Sequence, residues 1–244
     1  MKNSPSHTPA SPPEDGLAIH AVGLTRIYSR GPAEVAGIRD ADLSVPKGEL
    51  VLIKGESGSG KSTLLALFGG LDQPTGGSLR VAGLDLVRAT PRELTHFRRK
   101  KVGMVFQTFN LLPTLTALEN VCLPGLLAGG VPSRVRKDAA ELLAWLNLGD
   151  RFGHFPSQLS GGEMQRTAIA RALINGPEII LADEPTGNLD SQNGEIVVDL
   201  LAELNRKQAR TVIIATHSVL ADRCATMNIL LKDGIIAGRG ASHV

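Results

Sequence analysis

Aromatic residues are nearly missing from this chain, at 3% of its composition with a single tryptophan and a single tyrosine. A core without rings has to be built from Leu, Val, Ile and Ala, which suits parallel strands covered by helices. Cysteine is equally scarce. Two residues, Cys122 and Cys224, cannot staple a framework, and both sit among apolar neighbours as reduced core residues do. Net charge is close to nothing, 26 basic against 24 acidic residues for a formal +2, which argues against a nucleic-acid binder driven by bulk charge. Long apolar runs are also lacking. The uncharged stretch from Asn120 to Ser133 holds two prolines and falls short of the ~20 apolar residues a spanning helix needs, and no apolar leader is seen. The expectation is a cytoplasmic protein that reaches a membrane, if at all, through another chain.

Against these absences stands one dense motif, Gly55-Glu56-Ser57-Gly58-Ser59-Gly60-Lys61-Ser62-Thr63. It follows the apolar run Leu50 to Ile53 and precedes Leu64 to Phe68, an order that reads as buried strand, glycine turn and helix. The pattern G-x-x-x-x-G-K-[ST] is the phosphate-binding loop. Glycines let the backbone turn its N–H groups onto a polyphosphate, and the helix adds its free amides and positive dipole end. Lys61 is placed to reach β- and γ-phosphates, and the Ser62 hydroxyl to ligate Mg²⁺. A dinucleotide fingerprint starting at Gly58 fails, because its third glycine position holds Thr63.

The remaining chain supplies a sheet around that loop. Residues 1 to 16 are rich in Pro and Ser and read as a disordered tail, leaving 17 to 244 as one domain. Leu17 to Val22, Glu34 to Val45, Gly48 to Lys54, Ser78 to Leu84, Val102 to Phe106, Glu178 to Ala182 and Thr211 to Ala215 read as strands, with a last pair around Asp233-Gly234. Thr90 and Pro91 start a short helix that ends in the basic run Arg98 to Lys101, a solvated face. Ser133 is the expected N-cap of a helix to Asn147, with Val135, Ala139, Leu142, Leu143 and Leu146 on one stripe. Ser160 caps another, burying Met164, Ala168, Ile169, Ala172 and Leu173, and Ser191 to Lys207 forms a third, burying Ile196, Val197, Leu200, Leu201 and Leu204. The spacing therefore predicts an α/β fold, a parallel-sheet core carrying a mainly helical insert over about 108 to 175.

Open sheets of this class bind ligands at the carboxyl ends of their strands. Four such ends carry polar residues: Lys54-Gly55, Gln107, Asp183-Glu184 and Thr216-His217. Asp183 is the expected Mg²⁺ holder, and Glu184 the group that orients or deprotonates an attacking water. Gln107 is a contact for Mg²⁺ or water, and His217 one for the γ-phosphate. Tyr28 is a half-buried aromatic by itself and a platform for an adenine ring in this company. Leu159-Ser160-Gly161-Gly162-Glu163 opens a helix with two glycines, which a plain N-cap does not require and which close approach of a phosphate would explain. That motif lies away from the strands of the phosphate loop, and a second copy of the chain would bring the two together.

In their order, these motifs resemble the ATP-binding-cassette ATPases, P-loop NTPases, from about Leu17 onward. Leu189-Asp190 belongs to the same set, and Phe106 to Val121 is similar to the subgroup serving lipoprotein release and macrolide export. The resemblance implies an N-terminal antiparallel β subdomain beside the mostly parallel core. It also implies Mg²⁺-dependent ATP hydrolysis by a head-to-tail homodimer holding two ATP molecules. One chain would supply Tyr28, Gly55 to Thr63, Gln107, Asp183, Glu184 and His217, and its twin Ser160, Gly162 and Asp190. The implied partner is an integral-membrane permease docked near Gln107 and the helical region, with the chain peripheral on the inner face of the cell membrane and no nucleic acid involved. A regulatory or mechanical ATPase whose membrane partner moves no substrate is the rival expectation; a soluble cassette acting on nucleic acid or ribosomes fits the near-neutral charge less well. Two departures from the family pattern are Glu163, where many members have Gln, and Thr186-Gly187-Asn188 before Leu189-Asp190.

Overall fold

The apolar runs at Leu50–Lys54 (β3), Ile179–Asp183 (β7) and Thr211–Ala215 (β8) become adjacent parallel strands, and the alternation within each feeds two cores. Val51, Ile53, Leu181 and Ile213 face one side, whereas Leu50, Leu52, Ile180 and Ile214 face the other. A strand buried on both faces has no polar position to spare, which is why these segments read as unbroken hydrophobic runs. The computed structural model describes residues 16–30 and 33–241; the expected disordered tail before Gly16 lies outside the described residues.

Val102–Val105 (β6) and Met227–Lys232 (β9) extend the sheet in parallel, and Ile235–Ala241 (β10) closes it antiparallel, giving the order β10-β9-β3-β8-β7-β6. A second, antiparallel sheet has the order β2-β1-β4-β5, from Leu17–Arg30 (β1), Ala33–Pro46 (β2), Gly76–Val81 (β4) and Leu84–Asp85 (β5). It packs with Lys61–Phe68 (α1) and Pro91–Lys100 (α2) over one face of the larger sheet. The other face is covered by Ala117–Leu127 (α3), Pro132–Trp145 (α4), Gly161–Leu173 (α5) and Ser191–Gln208 (α6). The architecture is a P-loop α/β fold with a mostly parallel core. No helix among the described residues is long and apolar enough to cross a membrane.

Four local expectations are corrected. β1 runs to Arg30 rather than stopping near Val22, because register shifts around Leu24 and a left-handed Gly23 break the alternation that marks a strand in sequence. The strand expected from Ser78 to Leu84 is split by a turn at Ala82 and Gly83, with φ of 46° and 81°, the geometry of a tight hairpin. Helix α4 begins at Pro132, whose fixed φ suits the first helical position, so Val131 rather than Ser133 is the N-cap. In α6, Ile196 is exposed, and Val198 and Ala202 join Val197, Leu201 and Leu204 on the buried side.

Candidate nucleotide site

Because β3, β6, β7 and β8 are parallel and in register, Lys54, Val105, Asp183 and Ala215 finish at one edge of the sheet. The turn from β3 to α1 crosses that edge. At Gly55 a Cβ would come within 2.2 Å of the Leu231 carbonyl and 2.5 Å of Ser59 Oγ; at Gly60, with φ of 103°, it would meet the Gly37 carbonyl at 2.3 Å. Only glycine fits these two positions. Lys61 is buried and its Nζ donates to the carbonyls of Gly55 (2.8 Å) and Glu56 (3.1 Å), inside the loop it belongs to. The Ser59 hydroxyl is buried without a hydrogen-bond partner.

Two carboxylates stand beside the loop in different settings. Ser62 Oγ donates to Asp183 Oδ1 at 3.1 Å. Burial pushes the Asp183 carboxyl above its ordinary range, and neighbouring Glu184 adds to this against the opposing Ser62 hydrogen bond and Lys61 charge. Glu184 has φ of 43°, an uncommon left-handed conformation that costs ~1–3 kcal/mol. Its carboxylate accepts from Thr216 Oγ1 (3.1 Å) and the His217 N–H (3.4 Å), and lies 3.0 Å from His217 Nδ1 and 3.7 Å from Lys61 Nζ. The His217 side chain is 70% exposed against 13% for Glu184, so the imidazole fronts a shielded acid.

Tyr28, Gly37, Lys61, Ser62, Thr63, Gln107, Glu184 and His217 line one cleft of about 690 Å³, together with Glu56, Ser57, Gly58 and Gly60 of the loop. That donor set fits a polyphosphate: loop amides and one lysine converge on the cleft. It fits Mg²⁺ as well. Ser62 and Asp183 offer adjacent hard oxygens, and no cluster of three or more His, Cys, Asp or Glu among the described residues forms a closed metal cage. Mg²⁺ prefers one or two protein oxygens plus phosphates and water.

Ser160, Gly161 and Gly162 do not line this cleft. Ser160 caps α5 in a reciprocal box: the Glu163 N–H donates to Ser160 Oγ (3.3 Å) and the Ser160 N–H to Glu163 Oε2 (2.8 Å). Arg151 Nε donates to Glu163 Oε1 at 2.8 Å. The Ser160 amide and the Arg151 guanidinium hold the Glu163 carboxyl down to about 2. The double glycine receives a partly different explanation from the one its sequence suggested. A Cβ on Gly162 would stand 2.1 Å from Asn193 Oδ1, so the Asn193 side chain of α6 in the same chain crowds this position; on Gly161 it would meet Leu189 at an ordinary 3.5 Å. Asn193 in turn donates through its backbone and side chain to the two oxygens of Asp190, the N-cap of α6 (2.9 and 2.7 Å).

Several residues at the site went unread in the sequence. Asn188, one of the departures from the family pattern, donates to the Gln107 carbonyl at 2.8 Å and ties the segment before Asp190 to that strand end. Arg171 of α5, its basicity lowered by burial, donates to the carbonyls of Asn110 and Phe109, two left-handed residues just after Gln107. Arg26 and Asp72 surround Tyr28. No spacing rule links partners that lie 44 to 81 residues apart.

Comparison with known proteins agrees with this geometry. A family profile described as "ABC transporter" matches residues 38–187, more than half of the chain. An uncharacterized ABC transporter ATP-binding protein of Thermotoga maritima is 48% identical over 221 residues, 90% of this chain and 94% of its own length. A macrolide export ATP-binding/permease protein, MacB, of Rhodopseudomonas palustris is 48% identical over 91% of this chain but 34% of its own, so the chain spans about a third of the length of that relative. Among solved structures, the ATP-binding cassette MJ0796, a dimer in a post-hydrolysis state bound to ADP and Pi, superposes with a TM-score of 0.87 at 42% identity, covering 93% of this chain and 99% of that one.

Proposed function

The chain belongs to the ABC transporter family as one of its ATPase domains, and from that premise we propose that it hydrolyses ATP to ADP and phosphate to drive a membrane export complex. The observation that carries the reading is the convergence of Lys61, Ser62, Asp183, Glu184 and His217 on one sheet edge, Asp183 through its strand end and its Ser62 hydrogen bond, with the Glu184 carboxylate 3.7 Å from Lys61 Nζ. A triphosphate entering the loop offers Lys61 better acceptors than the carbonyls of Gly55 and Glu56. Glu184, anchored by Thr216 and His217, orients the attacking water and takes its proton while the terminal P–O bond breaks. His217 and Gln107 contact the γ-phosphate and the water, and Tyr28 carries the adenine. Ser62 and Asp183, with Gln107 in reach, would hold Mg²⁺, which when bound neutralises charge on the phosphates.

The second half of each site comes from a twin. Ser160, Gly161 and Gly162, at the amino end of α5, complete the γ-phosphate contacts, and Asp190 stands at the interface, in a head-to-tail pair with two-fold symmetry. The partner is an integral-membrane permease, docked against the Phe109–Leu115 segment and the helical insert over 108 to 175, which holds the chain on the cytoplasmic face. Asn120 braces that segment: buried in α3, it accepts from the Leu112 N–H and donates to the carbonyls of Leu112, Leu115 and Thr116. Leu112 itself stays exposed.

The shared site has a direct test. Lys61→Ala and Ser160→Arg proteins are each expected to be inactive, and mixing them under subunit exchange restores one intact site per mixed dimer and part of the ATPase rate. No recovery, with mixed dimers demonstrated by differential tags, overturns the shared site.

A further inference from the structure

We propose that Asp72 and Arg26 are positioning residues for base recognition, which fix Tyr28 as a one-sided stacking platform for a purine ring. The proposal rests on the nucleotide reading above and extends it to residues outside the cleft lining. Arg26 and Tyr28 are two apart on β1 and so share a face. The Arg26 guanidinium lies over the phenol ring, 4.5 Å from its centroid. The Tyr28 hydroxyl donates to Asp72 Oδ2 at 2.7 Å, Arg26 Nε donates to the same oxygen at 2.9 Å, and Arg26 Nη2 lies 2.8 Å from Asp72 Oδ1. The Gln73 N–H also donates to Oδ1, at 2.8 Å. Each carboxylate oxygen therefore takes two donors, and the ring is held by its hydroxyl and by one face. Its edge lies against Gly37, where a Cβ would approach Tyr28 Cε2 to 2.8 Å. What remains is the face toward the cleft, which Tyr28 lines and Arg26 and Asp72 do not.

Asp72 is itself tied to the phosphate loop. The N–H groups of Leu71 and Asp72 both donate to the carbonyl of Ala66 in α1 (2.9 and 3.3 Å). One short helix, ~12 Å long at 1.5 Å per residue, thus has the phosphate grip at its amino end and the anchor of the base platform just past its carboxyl end. Thr75 adds a second tie, its N–H donating to the Thr25 carbonyl (2.8 Å) and its Oγ1 accepting from the Ile27 N–H (3.1 Å). The spacing between base and phosphates is set by the chain before nucleotide arrives.

Stacking concerns the base alone, so the platform separates from the phosphate grip in a binding experiment. Calorimetric titration of ATP and of inorganic tripolyphosphate is compared across the wild type, Tyr28→Ala, Tyr28→Phe, Asp72→Ala and Asp72→Asn. Tyr28→Ala is expected to weaken ATP binding about tenfold, within the range base stacking commands, while tripolyphosphate affinity stays within about twofold. Asp72→Ala is expected to weaken ATP about three- to tenfold with the same tripolyphosphate affinity, and Tyr28→Phe, which keeps the ring and loses its anchor, by a smaller factor in the same direction. Asp72→Asn keeps the shape of the site should the alanine variant fail to fold, and in a double variant with Tyr28→Phe its effect is less than additive. Equal loss of ATP and tripolyphosphate in the Asp72 variants, or no loss of either, overturns the positioning role while leaving the nucleotide site standing. Wild-type protein that binds neither overturns both.

Discussion

The cleft edge of the larger sheet and the amino end of α5 are both anion sites in outline, yet they are built in opposite ways. At the cleft the polar groups hold one another in contacts that a ligand can displace: Lys61 rests on its own loop carbonyls, Ser62 on Asp183, His217 on Glu184. At α5 the contacts are closed. Ser160, Glu163 and Arg151 complete a cap, and Gly162 is packed hard against Asn193. The first arrangement must rearrange to bind and so responds to nucleotide. The second is preorganised, and in the proposed head-to-tail pair only its arrival beside the twin's cleft changes. A site divided in that way would pair one half that senses the ligand with one that offers fixed donors.

The largest effect expected from breaking this contrast lies at Glu184. Glu184→Gln keeps the shape and most of the hydrogen bonds but removes the base, and phosphate release is expected to fall by ~10²–10⁴-fold, with ATP-dependent dimers accumulating in size-exclusion chromatography. Near-normal release would assign water activation elsewhere. A smaller effect, on stability instead of turnover, tests the closed half. Gly162→Ala drives a methyl into Asn193 and is expected to cost ~1–3 kcal/mol, a fall of roughly 2–4 °C in Tm for each kcal/mol. Gly161→Ala meets ordinary contact, and alanine suits a helix better than glycine, so its Tm is expected to hold or rise. Asn193→Ala in the Gly162→Ala background restores much of the loss. Thermal unfolding of the three variants without nucleotide decides it; equal losses at both glycines would remove Asn193 from the explanation.

The same contrast explains what was legible in the sequence. The phosphate loop, the strand-end acids and the alternating cores are local patterns, a turn between strand and helix or a period of two, and the structure assembles them in one place. The carboxyl end of a parallel strand is readable because topology forces neighbouring ends together. What escaped were contacts between distant segments. Nothing near Gly162 announces Asn193, so the glycine pair looked like a single feature when its members answer to different demands. Asp72 carries no signal beyond a turn, although it anchors the ring of the lone tyrosine. Strand β1 hid its second half because bulges scramble the alternation, and Ile196 was placed inward because a helical stripe in sequence does not say which of two flanking positions faces the core.

The two halves also carry carboxyls shifted in opposite senses, so pH separates them with the smallest perturbation. Glu163, held at about 2 by the Ser160 amide and Arg151, is depressed in the folded chain. Its contribution to stability is fully present above the ordinary glutamate range near 4.5 and is lost as pH falls toward 2. Asp183, raised chiefly by burial, behaves in reverse: its contribution is present below the ordinary aspartate value of 3.8 and is lost as pH climbs through the raised one. Glu163→Gln is therefore expected to flatten the acid limb between about pH 4.5 and 2 and to lower stability at pH 7, where Arg151 loses a partly exposed ion pair. Asp183→Asn removes a charge that burial disfavours, so the nucleotide-free protein is expected to gain stability at pH 7 and to lose that gain near pH 3, at the expense of Mg²⁺-dependent hydrolysis. Urea midpoints of the two variants at pH 3, 5 and 7 supply the measurement. If both variants move in the same direction relative to wild type across that range, the cleft and the cap do not differ electrostatically in the way their hydrogen bonds imply.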